Sequence, residues 1–383
     1  MLARLFARTE ERTITHASVW GDWPGDAPAS WSGERVTQAT AMQLLTVYGC
    51  VRLISDQIST LPVHVYRKVG DVREQLISPD WLTEPVANMG FTEWCGQVLS
   101  SLLLNGNAYL AVTRNESARI VEVVPLDPAV VQVFRVDRLT KAYRVNGALF
   151  GGEMLHLKGV MLPGSDVGYS PLEAARQSIG LGLAALKYGG NYFETDGNMP
   201  GVIESPKPVD PTRKKEMAEA WRRKRSKGGR GLPGLLDDGA TWKPTGVTNE
   251  QAQFLATRQY TAAEIAGQMF LVDPSDLGIP VDGSTLTYAN LEQRNVRRVQ
   301  VTLLPWIVRI EDALSSLLAK PRYVKLSVDG LLRGDMKTRY ESYQIGVDSG
   351  FLVPNEPRGF EELAPLDGGD APRVPAAPAV SAA

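Results

Sequence analysis

Residues 180–185 read Gly-Leu-Gly-Leu-Ala-Ala, so Gly180, Gly182 and Ala185 fall in the G-x-G-x-x-A spacing of a dinucleotide-binding turn. There the glycines would let the backbone approach a pyrophosphate at a helix N-terminus, and the chain would be an NAD-dependent oxidoreductase. Three other groups could carry chemistry. Asp273, Asp276 and Asp282 could offer oxygens to a cation, but their spacing misses the D-x-D-x-D-G calcium pattern. Gly168 and Ser170 match part of a G-x-S-x-G nucleophile elbow, with Leu172 where the second glycine belongs. Finally, Arg213, Lys214, Lys215, Arg222, Arg223, Lys224, Arg225, Lys227 and Arg230 crowd one segment against only Glu216 and Glu219. Such a run is either a solvated helix face or a surface for phosphates or an acidic partner, and on the second reading the chain could be a monomeric nucleic-acid-binding protein. His16, His64 and His156 form no H-x-x-x-H pair with metal-ligand spacing, and no G-x-x-x-x-G-K-[ST] occurs. A chain this long without an acid, base, nucleophile or cofactor loop reads as a structural part, with no enzyme activity, cofactor or metal.

The elements that position these residues decide between the readings. Ser170-Pro171-Leu172-Glu173 has the form of a capping box with proline at the first helical position, and Leu172, Ala175, Ile179, Leu183 and Leu186 then line one helical face. The helix therefore starts well before Gly180, whereas a dinucleotide turn needs its glycines between a strand and a helix start. It also needs an acid about 20 positions later; Glu194 and Asp196 come too early. Mid-helix glycine costs ~1 kcal/mol against alanine, so the spacing points to close approach of helices. Gly189 extends the small-residue stripe, and Ala262 and Ala266 repeat it on a helix spanning 249–270.

Upstream, from Thr40 on, Leu44, Val47, Val51, Ile54, Ile58 and Leu61 step by threes and fours over a helix of about 20 residues that Pro62 ends, followed by the alternating strand "VHVYRK". A second helix covers 91–104. Strand-like segments fill the region to residue 160, with Asn146-Gly147 as a hairpin signal, so 41–160 reads as one α+β domain. Asp210-Pro211 opens the basic helix. Residues 287–319 predict a helix about 50 Å long, kinked where Pro305 removes a hydrogen bond to the Val301 carbonyl. Residues 13–40, with Trp20, Trp23 and Trp31, read either as a loosely ordered arm that docks through its aromatics or as a tail poorly ordered in the isolated chain, and the Ala- and Pro-rich tail reads as disordered.

The bulk numbers bound the function. The chain has 383 residues, 43% hydrophobic and 22% charged, and its 41 Lys and Arg nearly balance 43 Asp and Glu. It lacks the strongly basic surface of a protein that grips nucleic acid electrostatically. Cys50 and Cys95 make no disulfide framework, no apolar secretion-signal core is visible, and no run reaches the ~20 apolar residues of a membrane span. These features place the chain in the cytosol at synthesis.

Several colinear segments resemble the HK97-type portal proteins of tailed phages. They are "TVYGCVRLISDQISTLPVHVYRK", "LLLNGNAYLAVTRN", "LDPAVVQV", "HLKG" followed by "GYSPLEAARQSIGLGLAALKYGGNYFETDGNMPGVIES", and "STLTYANLEQRNVRRVQVTLLPWIVRIEDALSSLL". The likeness runs from about Val36 to Phe360. It departs from the family where Val272-Asp273-Pro274-Ser275-Asp276 stands in place of Val-Pro-Pro-His. The resemblance implies an α+β portal fold assembled as a ring, commonly dodecameric, in the virion at one capsid vertex, built in the host cytoplasm.

The resemblance also divides the chain. It implies a flexible arm at 1–40, a wing at 41–169, stem helices at 170–199 and 248–270, and a clip at 200–247. A tunnel loop at 271–286, a long kinked wing helix at 287–321, a crown at 322–366 and a disordered tail at 367–383 follow. Gly180, Gly182, Ala185, Gly189, Ala262 and Ala266 would pack stem helices of adjacent subunits. Asp273, Ser275, Asp276, Asp282 and Ser284 would face DNA from the tunnel loop, where carboxylates suit sliding. Arg213, Lys214, Lys215, Arg222, Arg223, Lys224, Arg225 and Lys227 would give the clip a basic surface toward the terminase large subunit, a head-completion adaptor or DNA. The implied partners are the chain itself, double-stranded DNA, terminase, the adaptor and the capsid or scaffold protein, without a membrane.

Overall fold

The computed structural model describes residues 29–372, except 71, 138–139, 195–200, 207, 209, 226–238, 240, 245–250, 281–287, 333–335 and 362. Thr37 opens the first helix, α1 (Gln38–Ala41), in a reciprocal box with Thr40. The apolar stripe predicted upstream becomes α2 (Leu45–Ser59), which buries Val47, Cys50, Val51, Ile54 and Ile58. Pro62 ends it, and the chain turns into the hairpin β1 (Val63–Val69) and β2 (Val72–Leu76). After α3 (Asp80–Thr83), α4 (Phe91–Asn105) packs on α2 through Trp94, Cys95, Val98, Leu99 and Leu102. The Trp94 indole N–H reaches the Val123 carbonyl at 2.7 Å, so the largest buried ring leaves no polar atom unpaired. Burial also pushes the Cys50 and Cys95 thiols up to about 12, so both act as inert apolar groups.

The strands β3 (Asn107–Arg114), β4 (Ile120–Leu126) and β8 (Glu153–Lys158) form one antiparallel sheet, and β5 (Val131–Arg135), β6 (Lys141–Val145) and β7 (Ala148–Leu149) form another. Asn146 and Gly147 both take positive φ in the β6–β7 turn, as the dipeptide predicts. Short strands β9 (Val160–Met161) and β10 (Gly168–Tyr169) lead to the helices.

The helix start at Pro171 is as expected, but its cap is not. Ser170 makes no capping bond; its buried hydroxyl donates to the Leu104 carbonyl at 2.9 Å, and Glu173 pairs with Arg176. The hydroxyl thus ties the helix entrance to the end of α4. The helix is also broken, into α5 (Pro171–Ala174) and α6 (Arg176–Glu194). A small antiparallel pair, β11 (Gly201–Glu204) and β12 (Thr241–Pro244), flanks α7 (Pro211–Arg225). Next, α8 (Gln251–Glu264) runs into a π turn at Ile265–Met269, and a 3-10 turn follows at Pro274–Leu277.

The predicted long helix is α9 (Tyr288–Arg297), a π segment at Arg298–Leu303, and α10 (Leu304–Ser316). The distortion falls just before Pro305, where the missing N–H and the ring's clash with the preceding turn are absorbed by wider coiling. The strand β13 (Arg322–Leu326), assigned to the crown by the resemblance, instead pairs with β1 in the order β13-β1-β2, with Tyr66 opposite Tyr323. Buried Glu311 of α10 accepts from the Leu326 amide at 2.9 Å and pairs with Lys325, which fixes that strand to the body. The short helices α11 (Asp329–Leu332), α12 (Met336–Asp348) and α13 (Asn355–Phe360) complete the described chain. One core joins α2 and α4 to Ile179, Leu183, Ile265, Phe270, Leu303, Ile307 and Ile310, so the base of α6 and the long helix belong to the same body as the first domain.

Candidate functional site

The small residues on α6 meet neighbours in their own chain. A Cβ at Gly180 would lie 2.1 Å from Ser30 Oγ and 2.3 Å from Ser30 Cβ, and one at Gly182 would lie 3.1 Å from Leu44 and 3.5 Å from Thr261. Gly180 therefore seats residue 30, and Gly182 lets α6 approach both Leu44 and α8. The close approach inferred from the sequence is real, but these two glycines mark contacts within one subunit. Gly189 is buried, Ala185 and Ala262 are half-buried, and Ala266 sits wholly in the core within the π turn. What α6 and α8 leave exposed is larger: Leu181, Leu186 and Tyr188 on α6 and Tyr260 on α8, Tyr260 by 69%. Small-residue spacing does not point to these outward residues, because it concerns glycine and alanine and not the larger apolar side chains beside them.

The segment facing Gly180 is pinned at several points. Ser30 is buried and donates to the Glu34 carbonyl, the Trp31 amide donates to Gln177 Oε1 at 2.8 Å, and Lys187 pairs with Glu34 at 3.0 Å. The Trp31 ring itself is exposed.

The carboxylates assigned to the tunnel loop divide. Asp273 Oδ1 accepts from the Ser275 amide at 3.0 Å and its hydroxyl at 2.7 Å, capping the 3-10 turn. Asp273 also lies 3.6 Å from Arg294. Burial alone would raise its pKa, but the Ser275 hydrogen bonds and the charges of Arg294 and Arg297 outweigh it and hold the carboxyl below its ordinary value. Asp276 is taken up by a two-pronged bond from Arg298, at 3.0 and 2.8 Å. Asp273 and Asp276 thus tie the loop to the long helix instead of presenting free charge, and Ser275 is spent inside the turn on Asp273. Leu277 packs where a Cβ on Gly49 would stand, 3.2 Å away, and Thr302 Oγ1 donates to the carbonyl of Leu271, which holds φ +55. Asp282 and Ser284 lie outside the described residues. Sequence reasoning missed the arginines because its spacing test considered only the acids; Arg294 and Arg298 share one helical face four positions apart.

The basic helix α7 begins as predicted, with Asp210 accepting from the Thr212 amide at 2.9 Å. Arg213, Lys214 and Lys215 are exposed on its first turn, and Arg222, Arg223, Lys224 and Arg225 form its last. Lys227 lies outside the described residues. Lys243 pairs with Glu204 across the β11–β12 ladder at 2.6 Å.

The residues considered for catalysis hold structural positions. Gly106 ends α4 at φ +71, and a Cβ there would stand 2.3 Å from the Tyr169 carbonyl. The buried Asn107 side chain then accepts from the Gly168 amide at 2.6 Å and donates to the Gly168 carbonyl at 2.9 Å, while His156 Nε2 lies 3.0 Å from its oxygen. Gly168 and Ser170 therefore close a backbone junction and form no nucleophile elbow. His64 pairs with Gln75 at 3.1 Å. Among the described residues no cluster of His, Cys, Asp and Glu could hold a metal, and no helix is long and apolar enough to cross a membrane.

Among the described residues no reaction centre is assembled, and likeness to known proteins becomes the decisive observation. A family model described as phage portal protein matches residues 45–362. The chain belongs to the phage portal protein family. This portal-family chain is 37% identical over 374 residues to a probable portal protein of Streptomyces phage phiC31, covering 90% of this chain and 80% of that one. It is 28% identical over 356 residues to the portal protein of Enterobacteria phage HK97, covering 86% and 81%. The portal fold itself is matched by an HK97 family phage portal protein from Corynebacterium diphtheriae, with a TM-score of 0.60 at 17% identity over 78% of this chain and 96% of that one. The neck of an empty gene transfer agent particle computed with C6 symmetry gives 0.60 at 22% identity, over 93% and 99%. That of the native particle computed with C12 symmetry gives 0.59 at 22%, over 91% and 98%. Portal membership and the seated Ser30 together replace the oxidoreductase reading of Gly180, Gly182 and Ala185.

Proposed function

We propose that the chain assembles into a closed ring of identical subunits, dodecameric in the particle, at one vertex of a phage capsid. Double-stranded DNA passes along the ring axis during packaging and ejection. The observation that carries this reading is the apolar surface of Leu181 and Tyr188, two turns apart on one face of α6, and of Tyr260 on α8, which the described residues leave exposed. A heterologous contact repeated about an axis covers such a face on every subunit at once and closes without free ends. The particle necks of similar fold, computed with C6 and C12 symmetry, support the same arrangement.

The clip pair β11–β12 with α7 is the docking platform. Arg213, Lys214 and Lys215 would meet acidic surfaces of the terminase large subunit during packaging and of an adaptor afterwards, by charge attraction that weakens with salt. Capsid or scaffold protein would surround the wing, and assembly would begin in the host cytoplasm. Because Asp273 and Asp276 are consumed in the clamp, contact with sliding DNA falls to the segment holding Asp282 and Ser284. Negative-stain imaging of the purified full chain tests the core of this reading. Rings with a central hole are expected; a monodisperse monomer at high concentration in both low and high salt would overturn it.

A further inference from the structure

The sheet β13-β1-β2 covers the core with one face only. Val65, Val324 and Leu326 are buried on that side. Strand alternation and the cross-strand register then send His64, Tyr66 and Lys68 of β1 to the opposite face, with Arg73 and Gln75 of β2 and Tyr323 and Lys325 of β13. Tyr66 and Tyr323 make its half-buried floor, their rings stacked with centroids 5.9 Å apart, and the Arg73 guanidinium lies 5.1 Å from the Tyr66 centroid. Lys68, Arg73 and Lys325 stand exposed around them. We propose that this outward face binds the phosphate backbone of double-stranded DNA.

Charge argues for a polyanion. Lys68 and Arg73 sit directly opposite each other across the β1–β2 ladder, an arrangement of like charges that destabilises a sheet. No Asp or Glu of the three strands shares their face: Glu74 lies on the other side, where it accepts from Arg67 at 3.2 and 2.7 Å. Arg322 stands across from Arg67 at the same end of the sheet. Lys325 is met by Glu311 of α10, whereas Lys68, Arg73 and Arg322 form no ion pair among the described residues. A bound anion relieves the repulsion that the sheet itself leaves uncompensated.

The chemistry of the face selects a nucleic acid over an acidic protein. The centre of a protein interface is apolar and poor in lysine, but here the large rings are half-buried under exposed lysine and arginine. Lys, Arg and Tyr are side chains that contact phosphates and carry no sequence information. It selects duplex over single strand as well. Single-strand sites keep ring faces open for bases, and the Tyr66 ring is already engaged by Tyr323 and Arg73. None of these residues belongs to the ring contact proposed above, so the two readings stand or fall separately.

The test titrates a fluorescein-labelled duplex of about 30 base pairs with the full chain over a range of salt concentrations and reads anisotropy. Lys68→Gln with Arg73→Gln should weaken binding about tenfold at about 0.1 M salt and flatten the slope of log affinity against log salt by about 1.8, the share of two phosphate contacts. The melting temperature should hold or rise, because the like-charge pair is gone. Affinity and slope equal to the parent's would overturn the proposal. So would polyglutamate displacing the labelled duplex as well as unlabelled duplex does at equal charge, which would give the face to an acidic protein. In the unsubstituted chain, acetylation of Lys68 by a soluble N-hydroxysuccinimide ester, read by mass spectrometry, should be lost when the duplex is added; labelling that the duplex leaves unchanged would count decisively against the site.

Discussion

Replacing Gly180 with alanine sets two opposed effects against each other, and their difference is measurable. Alanine is favoured over glycine inside a helix by ~1 kcal/mol, so α6 alone should gain stability. The added Cβ, however, would stand 2.1 Å from Ser30 Oγ and 2.3 Å from Ser30 Cβ, closer than carbon and oxygen tolerate. Ser30 cannot rotate away cheaply, because the Cβ itself is in the clash and its hydroxyl is held by the Glu34 carbonyl and by Ser32 at 2.8 Å each. The segment from 29 to 35 must lift from the helix. Lifting breaks the Trp31–Gln177 bond, worth about 1 kcal/mol net, and the exposed Lys187–Glu34 pair, worth about 0–1 kcal/mol after solvent screening. The anchor therefore loses about 1–2 kcal/mol, which raises the population of the open segment roughly 5–30-fold.

The assay follows from that separation. Arg35 is exposed at the segment's end, so limited trypsin digestion, in the regime where cleavage tracks the open population, should cut after Arg35 about 5–30 times faster in Gly180→Ala. The melting temperature should stay level or fall slightly, because the helix's gain of ~1 kcal/mol offsets most but not all of the anchor's loss. Cleavage within twofold of the parent together with a raised melting temperature would refute the reasoning, since it would mean that Ser30 yields without releasing the segment.

Asp166 is buried against Arg135, at 2.5 and 2.9 Å, and Lys141, at 2.8 Å; the Arg135 bonds lead in holding its carboxyl down to about 2, against burial. A depressed carboxylate stabilises above its unfolded pKa of about 3.9 and loses that stability as pH falls toward 2, so urea unfolding should show about 1–2 kcal/mol lost across that window and absent from Asp166→Asn. For the loop clamp, Arg298→Ala should cost about 1.5–3 kcal/mol, and a double-mutant cycle with Asp276→Asn should return most of it as coupling. Cutting Leu181 and Tyr260 back to serine should shift assemblies toward monomer in light scattering while the subunit's melting temperature moves by less than about 3 °C, because exposed positions contribute little to the core.

The parts of the fold legible from sequence were those where one local rule decides the outcome. Period and punctuation locate α2, although it opens at Leu45 rather than at Thr40 and closes at Ser59, and Asn146-Gly147 locates its hairpin, because local rules dominate there. Ser170 shows where that logic stops. The pattern Ser-Pro-Leu-Glu satisfies a capping box, yet the Leu104 carbonyl, 66 positions away, takes the hydroxyl, since a buried carbonyl left unpaired costs more than an unfilled cap near solvent. The same competition explains the loop. Asp273 and Asp276 look free along the chain, and only the folded long helix brings Arg294 and Arg298 against them. It explains the stripe as well: the spacing Gly180 to Gly182 predicts that something comes close but cannot say what, and the answer, residues 30 and 44, lies far upstream. In each case the residue type predicted the interaction and the topology chose the partner. Functional readings drawn from single residues here are therefore weaker than those drawn from order along the chain. The order of segments along the chain is set by the whole fold at once, which is why the portal resemblance held where the dinucleotide fingerprint, resting on three residues, did not.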